Sequence, residues 1–262
     1  MIEVNHVCKD FPLNKKQRDE LRVRDKTLRV LDDVTFTCRP GRVFSLLGPN
    51  GAGKTTTLRI IATILKASAG QVIVGGIDLD EKPAEARAKM GFLTGTTGLY
   101  ERLTPNEILT YFGKLDGVKK GQLEDRKARL FDLLEMHDFV NKRIGKLSTG
   151  MKQKVSICRT MIHDPEVVVF DEPTTGLDVI TAKNIIELIK DCRDQQKTVI
   201  FSSHIMSEVD LLCDDLAIIN NGKILYNDTM KHFRNNMQTA NLTEEFIQVV
   251  NQDQPVLQEE SM

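Results

Sequence analysis

No apolar run in the sequence approaches the roughly 20 residues that cross a bilayer as a helix, so no spanning helix is expected. The opening Met1-Ile2-Glu3-Val4 lacks a basic stretch followed by an apolar one, and the expectation is that no secretory signal is present. Cysteine is sparse and scattered. Cys8, Cys38, Cys158, Cys192 and Cys213 form no CxxC pair, and most lie within apolar patterns. That spacing argues against a zinc site or a disulfide framework and suits buried, reduced thiols in cytosol. An excess of charge is missing too. The formal net charge is -1, which argues against a protein whose main business is gripping nucleic acid. What remains is ordinary globular composition, 40% hydrophobic and 28% charged, enough over 262 residues for one large domain or two modest ones.

The patterns change along the chain. Ile2–Val7 and Val34–Thr37 read as strands, and Gly41–Leu47 as a short β-rich run before a helical pattern from Lys54 to Leu65. Gln71–Val74 and Ile77–Leu79 flank Gly75-Gly76, a hairpin signal, and the early strands are expected to form an antiparallel layer beside the main sheet. From Thr104 to His163 the pattern turns helical. Thr104-Pro105-Asn106-Glu107 has the N-cap, N1 and N3 residues of a helix start, and Leu130–Met136 is a second amphipathic helix. Strands and helices then alternate: Val167–Phe170, a helix over Ala182–Cys192, Thr198–Phe201, and a hairpin joining Leu216–Ile219 to Lys223–Tyr226 through Asn221-Gly222. Such alternation implies a mainly parallel sheet with helices on its faces. Residues 14–29 carry an excess of Lys and Arg and read as a solvated loop or hairpin, with an anionic membrane surface as the alternative contact. Beyond Asn241 there is no Lys or Arg, and Leu242, Phe246, Val249 and Val250 suggest a short docking helix before an acidic tail.

The strongest chemical signal is Gly48-Pro49-Asn50-Gly51-Ala52-Gly53-Lys54-Thr55, a full P-loop pattern between strand and helix, with Thr56 following. Glycines let successive N–H groups turn inward on phosphate oxygens, and the helix that follows offers its N-terminus to the anion. Lys54 supplies a charge to the β- and γ-phosphates and Thr55 a hydroxyl to Mg²⁺. After the four apolar residues Val167–Phe170, Asp171 stands at a strand end where it can hold the Mg²⁺ shell. Glu172 is placed beside it to orient or deprotonate the attacking water.

Asp171-Glu172-Pro173-Thr174-Thr175-Gly176-Leu177-Asp178 resembles the Walker B motif and D-loop of the ABC ATPase family. Leu147-Ser148-Thr149-Gly150-Met151 resembles that family's signature, Ser202-Ser203-His204 its switch-histidine segment, and Phe11 falls where an aromatic usually stacks on adenine. The resemblance covers about residues 2 to 230 with the motifs in family order. It implies a P-loop NTPase of RecA-like α/β type, with an antiparallel β layer and an inserted α-helical subdomain. The expected division is a nucleotide-binding core of residues 1–95 and 164–230, a signature subdomain of residues 96–163, and a C-terminal helix and tail of residues 231–262.

The resemblance also implies a function. The chain is expected to bind ATP and Mg²⁺, pair head-to-tail with a second ATPase subunit, and drive separately encoded membrane permease subunits from the cytoplasmic face. Ser148 and Gly150 would then meet the partner's nucleotide, His204 the γ-phosphate, and Asp178 would bridge to the opposing subunit. Thr149 and Met151 depart from the usual glycine and glutamine, and Gly95 stands in place of the usual Mg²⁺-contacting glutamine. Gly91–Gly95 with Thr97–Thr104 is similar to the sodium-export (Nat-type) branch, as are Gly150–Val155 and His204–Val209. Export of another cargo, such as a drug, lipid or polysaccharide, and a non-transport or regulatory role are the alternatives.

Overall fold

The computed structural model describes residues 1–21, 24–94 and 98–252. The first part of the chain holds β1 (Ile2–Pro12), α1 (Lys15–Leu21), β2 (Thr27–Cys38), β3 (Arg42–Leu47), α2 (Lys54–Ile61), β4 (Ala69–Val74), β5 (Ile77–Asp78), α3 (Pro83–Ala88) and β6 (Met90–Leu93). A helical stretch follows with α4 (Pro105–Leu115), α5 (Lys120–Leu133), a 3₁₀ turn at Ile144–Lys146 and α6 (Thr149–Met161). The chain then returns to β7 (Val167–Asp171), α7 (Val179–Asp194), β8 (Thr198–Ser203), α8 (Met206–Leu212), β9 (Asp215–Asn220) and β10 (Lys223–Thr229), and continues into α9 (Met230–Asn235) and α10 (Leu242–Gln252).

Two sheets result. One has the order β2-β1-β4-β5 and is antiparallel throughout; the other runs β10-β9-β3-β8-β7-β6 and is parallel except at its β10 edge. The mainly parallel sheet with an antiparallel layer matches the expected α/β class. Alternate residues of its central strands enter different clusters. Val168, Phe170, Val199 and Phe201 join the core shared with the helical stretch. Val167, Val169 and Ile200 pack toward the antiparallel layer. Both faces are therefore dry, which is why these strands read as unbroken apolar runs.

Several boundaries differ from the sequence expectation, each for a local reason. α2 stops at Ile61 instead of Leu65 because Thr63 turns left-handed (φ 60) and Ile64 N donates back to Arg59 O at 2.9 Å. α5 starts well before Leu130. Its first turns are charged, yet Leu123 and the stem of Lys127 are buried, with the Lys127 ammonium on Asn106 Oδ1 (2.9 Å) and Thr110 Oγ1 (3.1 Å). Segment 14–29 is partly helical: Asn14 and Gln17 exchange backbone-to-side-chain hydrogen bonds at the start of α1, and β2 begins at Thr27. α9 was not foreseen; the Thr229 hydroxyl caps it by accepting from His232 N at 3.1 Å. The Thr104–Glu107 capping box forms as expected. α10 docks Leu242, Phe246, Val249 and Val250 on the core, and the acidic tail lies outside the described residues.

The β9–β10 hairpin turns through Asn221 (φ 45) and Gly222 (φ 76), and a Cβ at Gly222 would sit 2.3 Å from Val30 O. Gly222→Ala should therefore cost about 2 kcal/mol of stability, whereas Asn221→Gly should be close to neutral. Denaturant unfolding of both variants checks this; equal stabilities would mean that the turn is not held against β2.

Candidate nucleotide and catalytic site

β3, buried between β8 and β9, ends at Leu47 and releases the chain into the Gly48–Thr55 loop. Gly53 takes φ 110 at the N-cap of α2, a conformation that turns the loop into the helix and strains any side chain. Ala52 is buried; its N–H donates to Pro49 O (3.2 Å) and its carbonyl accepts from Gly222 N (3.0 Å), tying the loop to the β9–β10 hairpin. Asn50 and Gly51 form the exposed tip, and Thr56 is half-buried on the first turn of α2.

Lys54 is only 5% exposed. Its ammonium donates to Gly48 O at 2.7 Å and Pro49 O at 3.0 Å and lies 3.6 Å from Glu172 Oε1. Burial pulls its pKa below the usual lysine range, and the charges of Glu172 and Asp171 partly offset that. A phosphate at the loop would favour the charged form of the same group.

Neighbouring parallel strands bring the carboxylates in. Asp171 ends β7 opposite Ser202 of β8. Its Oδ1 accepts from the Thr55 hydroxyl at 3.0 Å and the Ser202 hydroxyl at 2.8 Å. Glu172 follows in a left-handed conformation (φ 49), its N–H donating to Ser202 Oγ at 3.0 Å. Its carboxylate stands between Lys54 and the His204 ring, whose Nδ1 is 3.3 Å away, and Oε2 accepts from the Thr175 hydroxyl at 3.2 Å. Thr55, Lys54, Asp171, Glu172 and His204 thus meet in one place. Phe11 does not belong to that cluster; its ring lies 5.0 Å below the Lys9 ammonium and its backbone pairs with Leu28.

The signature segment belongs to a different element. Ser148 is exposed and caps α6, its hydroxyl accepting from Met151 N at 3.3 Å. Leu147 is buried, Thr149 exposed, and Met151 leans on the core. Asp178 caps α7, its carboxylate accepting from Thr181 N (2.9 Å) and Thr181 Oγ1 (2.9 Å). Gly176 takes φ 75 and Leu177 packs partly against the core. Gly95 lies outside the described residues.

Sequence reasoning missed three residues that brace this site. Ser202 was seen only as part of a motif. Gln153 Nε2 donates to Pro173 O at 3.2 Å, joining α6 to the loop after Glu172. Glu208 of α8 accepts from the Thr174 hydroxyl at 2.5 Å and the Ser203 hydroxyl at 3.0 Å, fastening that loop to the segment before His204. Only strand register and the turn after Ser203 bring these groups together, so spacing along the chain gives no hint of them.

A glycine-rich loop opening a helix, with a buried lysine and a carboxylate pair on a nearby strand, defines a P-loop nucleoside-triphosphate hydrolase. Residues 31–175 match the ABC transporter family, and the chain belongs to the ATP-binding proteins of that family: it is an ATPase subunit. It is 44% identical over 209 residues to the ABC transporter ATP-binding protein NatA of Bacillus subtilis, covering 79% of this chain and 85% of NatA. Identity to the linearmycin resistance ATP-binding protein LnrL of the same organism is 34% over 75% of this chain and 63% of that protein. The bacitracin transport ATP-binding protein BcrA of Bacillus licheniformis is 33% identical, over 78% of this chain and 66% of BcrA. A solved ATP-binding subunit of an ABC transporter superposes with a TM-score of 0.82 at 26% identity, covering 95% of this chain and 99% of that one. Among the described residues no helix is long and apolar enough to cross a membrane.

The two Thr181 donors favour the ionised form of Asp178 and hold its carboxyl below the usual range. A depressed folded-state pKa contributes stability that is present above the ordinary carboxylate range and is lost as pH falls through the folded value. Asp178→Asn keeps an acceptor for the helix and removes the charge. Its stability deficit against the parent should be widest above about pH 5 and shrink steadily toward acid. Urea midpoints measured across pH test this, and a deficit independent of pH would show that the charge plays no part.

Proposed function

We propose that the Glu172 cluster is the hydrolytic centre of an export ATPase that pairs head-to-tail with a second ATPase subunit and drives separate permease subunits. The observation that carries this is one carboxylate, Glu172, held between the buried Lys54 and His204 beside the Thr55–Asp171 pair. The Gly48–Thr55 loop and Lys54 bind and orient the phosphates. Glu172 accepts the proton of the attacking water, and His204 sets the direction of that carboxylate and meets the γ-phosphate. Thr55 and Asp171 are hard oxygen donors 3.0 Å apart, a set that suits Mg²⁺ alongside phosphate oxygens. When bound there, Mg²⁺ would neutralise charge on the phosphates.

Phe11 is assigned to the adenine, by the resemblance alone. Ser148, Thr149 and Gly150 would face the partner's nucleotide, because the free N–H groups of α6 start a second anion site on an element remote in sequence from the P-loop. The domain reading that accompanies this is a nucleotide core of residues 1–95 and 164–230, a signature subdomain of residues 96–163 and an appended segment of residues 231–262. A dimeric post-hydrolysis cassette bound to ADP and Pi shares the fold at 22% identity with a TM-score of 0.75.

Glu172→Gln should bind ATP with near-parental affinity yet turn over at least ~100-fold more slowly, leaving an ATP-bound dimer visible by size exclusion. A variant keeping most of the parental turnover would remove Glu172 from the role of base.

For the cargo, the segment at residues 91–104 favours sodium. Loss of this chain should make cells sensitive to sodium but not to equal potassium. The names of LnrL and BcrA favour a second reading, drug export. Equal salt sensitivity, with new sensitivity to an antibiotic, would select it.

A further inference from the structure

We propose that Ser202 is a positioning residue for hydrolysis, locking the metal-side carboxylate Asp171 and the base Glu172 into one geometry. The inference rests on the roles given to those two residues above.

Ser202 is fully buried at the carboxyl end of β8, in register with Asp171 of β7. Its hydroxyl makes two bonds of opposite sense. Oγ accepts from Glu172 N at 3.0 Å, and the hydroxyl donates to Asp171 Oδ1 at 2.8 Å. An amide N–H can only donate, so the hydroxyl proton is left for the carboxylate and the group has a single orientation. Asp171 Oδ1 also receives the Thr55 hydroxyl at 3.0 Å, and two donors arriving from different elements fix the carboxylate.

The other bond restrains backbone. Glu172 holds φ 49, a left-handed conformation that a side-chain-bearing residue leaves unless its surroundings enforce it. Its N–H is tied to Ser202, and its carbonyl accepts from Thr175 N at a longer 3.3 Å. Were the N–H freed, rotation about φ would swing the side chain away from Lys54 and His204, the two groups that hold its carboxylate at 3.6 and 3.3 Å. The neighbouring hydroxyl cannot substitute. Ser203 Oγ already accepts from Ile205 N (2.9 Å) and donates to Glu208 (3.0 Å).

Ser202 touches the alignment of the reacting groups and not the phosphate loop, so its removal should act on turnover rather than on substrate binding. The test uses the full chain carrying Ser202→Ala, a change that opens no clash in a buried position. Expected is a fall in kcat of about tenfold or more with a change in KM for ATP below about threefold. In the nucleotide-free, metal-free protein the Glu172 amide should exchange hydrogen at least about tenfold faster, while amides of β7 before Asp171 keep their protection. Parental kcat in Ser202→Ala, or an unchanged exchange rate at Glu172, would overturn the proposal. Glu172→Gln run in parallel separates the failures. If Glu172→Gln stays active, the reading of the site is at fault. If it is inactive while Ser202→Ala matches the parent in turnover and exchange, only the role given to Ser202 falls.

Discussion

The register of three parallel strands is the constraint on which the chemistry depends. Leu47 of β3 lies opposite Ser203 of β8, and Ser202 opposite Asp171 of β7, so the Gly48–Thr55 loop, His204 and the Asp171–Glu172 pair leave the sheet at one end of its strands. A slip of one residue would send alternate side chains to the wrong face. That slip is blocked by burial on both sides. Val168 and Phe170 are committed to one core and Val167 and Val169 to the other, and none can exchange without exposing a filled layer. Packing far from any phosphate thus sets the distances within the site.

Around this fixed edge the loops are tied to one another. Gly222 N binds the Ala52 carbonyl, Gln153 binds the carbonyl of Pro173, and Glu208 grips both Thr174 and Ser203. The loop following Glu172 touches the signature helix on one side and the helix after His204 on the other. Through Pro173 and Thr174 that loop is held to both helices by hydrogen bonds.

How much of this was legible in the sequence depended on the range of the interaction. Asn221-Gly222 and Thr104–Glu107 act within a few residues and formed as read, and Gly48–Thr55 links β3 to α2 where its glycines place the turn. The chain-distant pairings were hidden. Ser202 and Asp171 are 31 residues apart, and nothing in either neighbourhood announces the contact. α5 was obscured for another reason: its early turns are so charged that the apolar period survives only at Leu123, Leu130 and Phe131, with Lys127 burying its stem at the remaining step. At Asp178 the D-loop motif overshadows a simpler local signal, the helix cap made with Thr181 three residues further on.

The signature segment is built into the same packing. α6 and α7 start side by side, and a Cβ at Gly150 would lie 3.1 Å from Thr181 Oγ1 and 3.3 Å from Asp178 Oδ2. A side chain at position 150 would therefore crowd the cap of the neighbouring helix, which would have to shift by a few tenths of an ångström to admit it. Position 149 is exposed in the single chain, so its threonine is not part of the core. Met151 sits half-buried against the core, so a flexible apolar chain serves there as well as an amide would. Capping by Ser148 needs only a hydroxyl at the N-cap and a free N–H at Met151, and both are in place. The Asp178 carboxylate lies where two helix N-termini converge, and their partial positive charge stabilises it there. The residues at 148 and 150 thus take part in the junction of the two helix starts, while Thr149 is exposed and Met151 rests on the core.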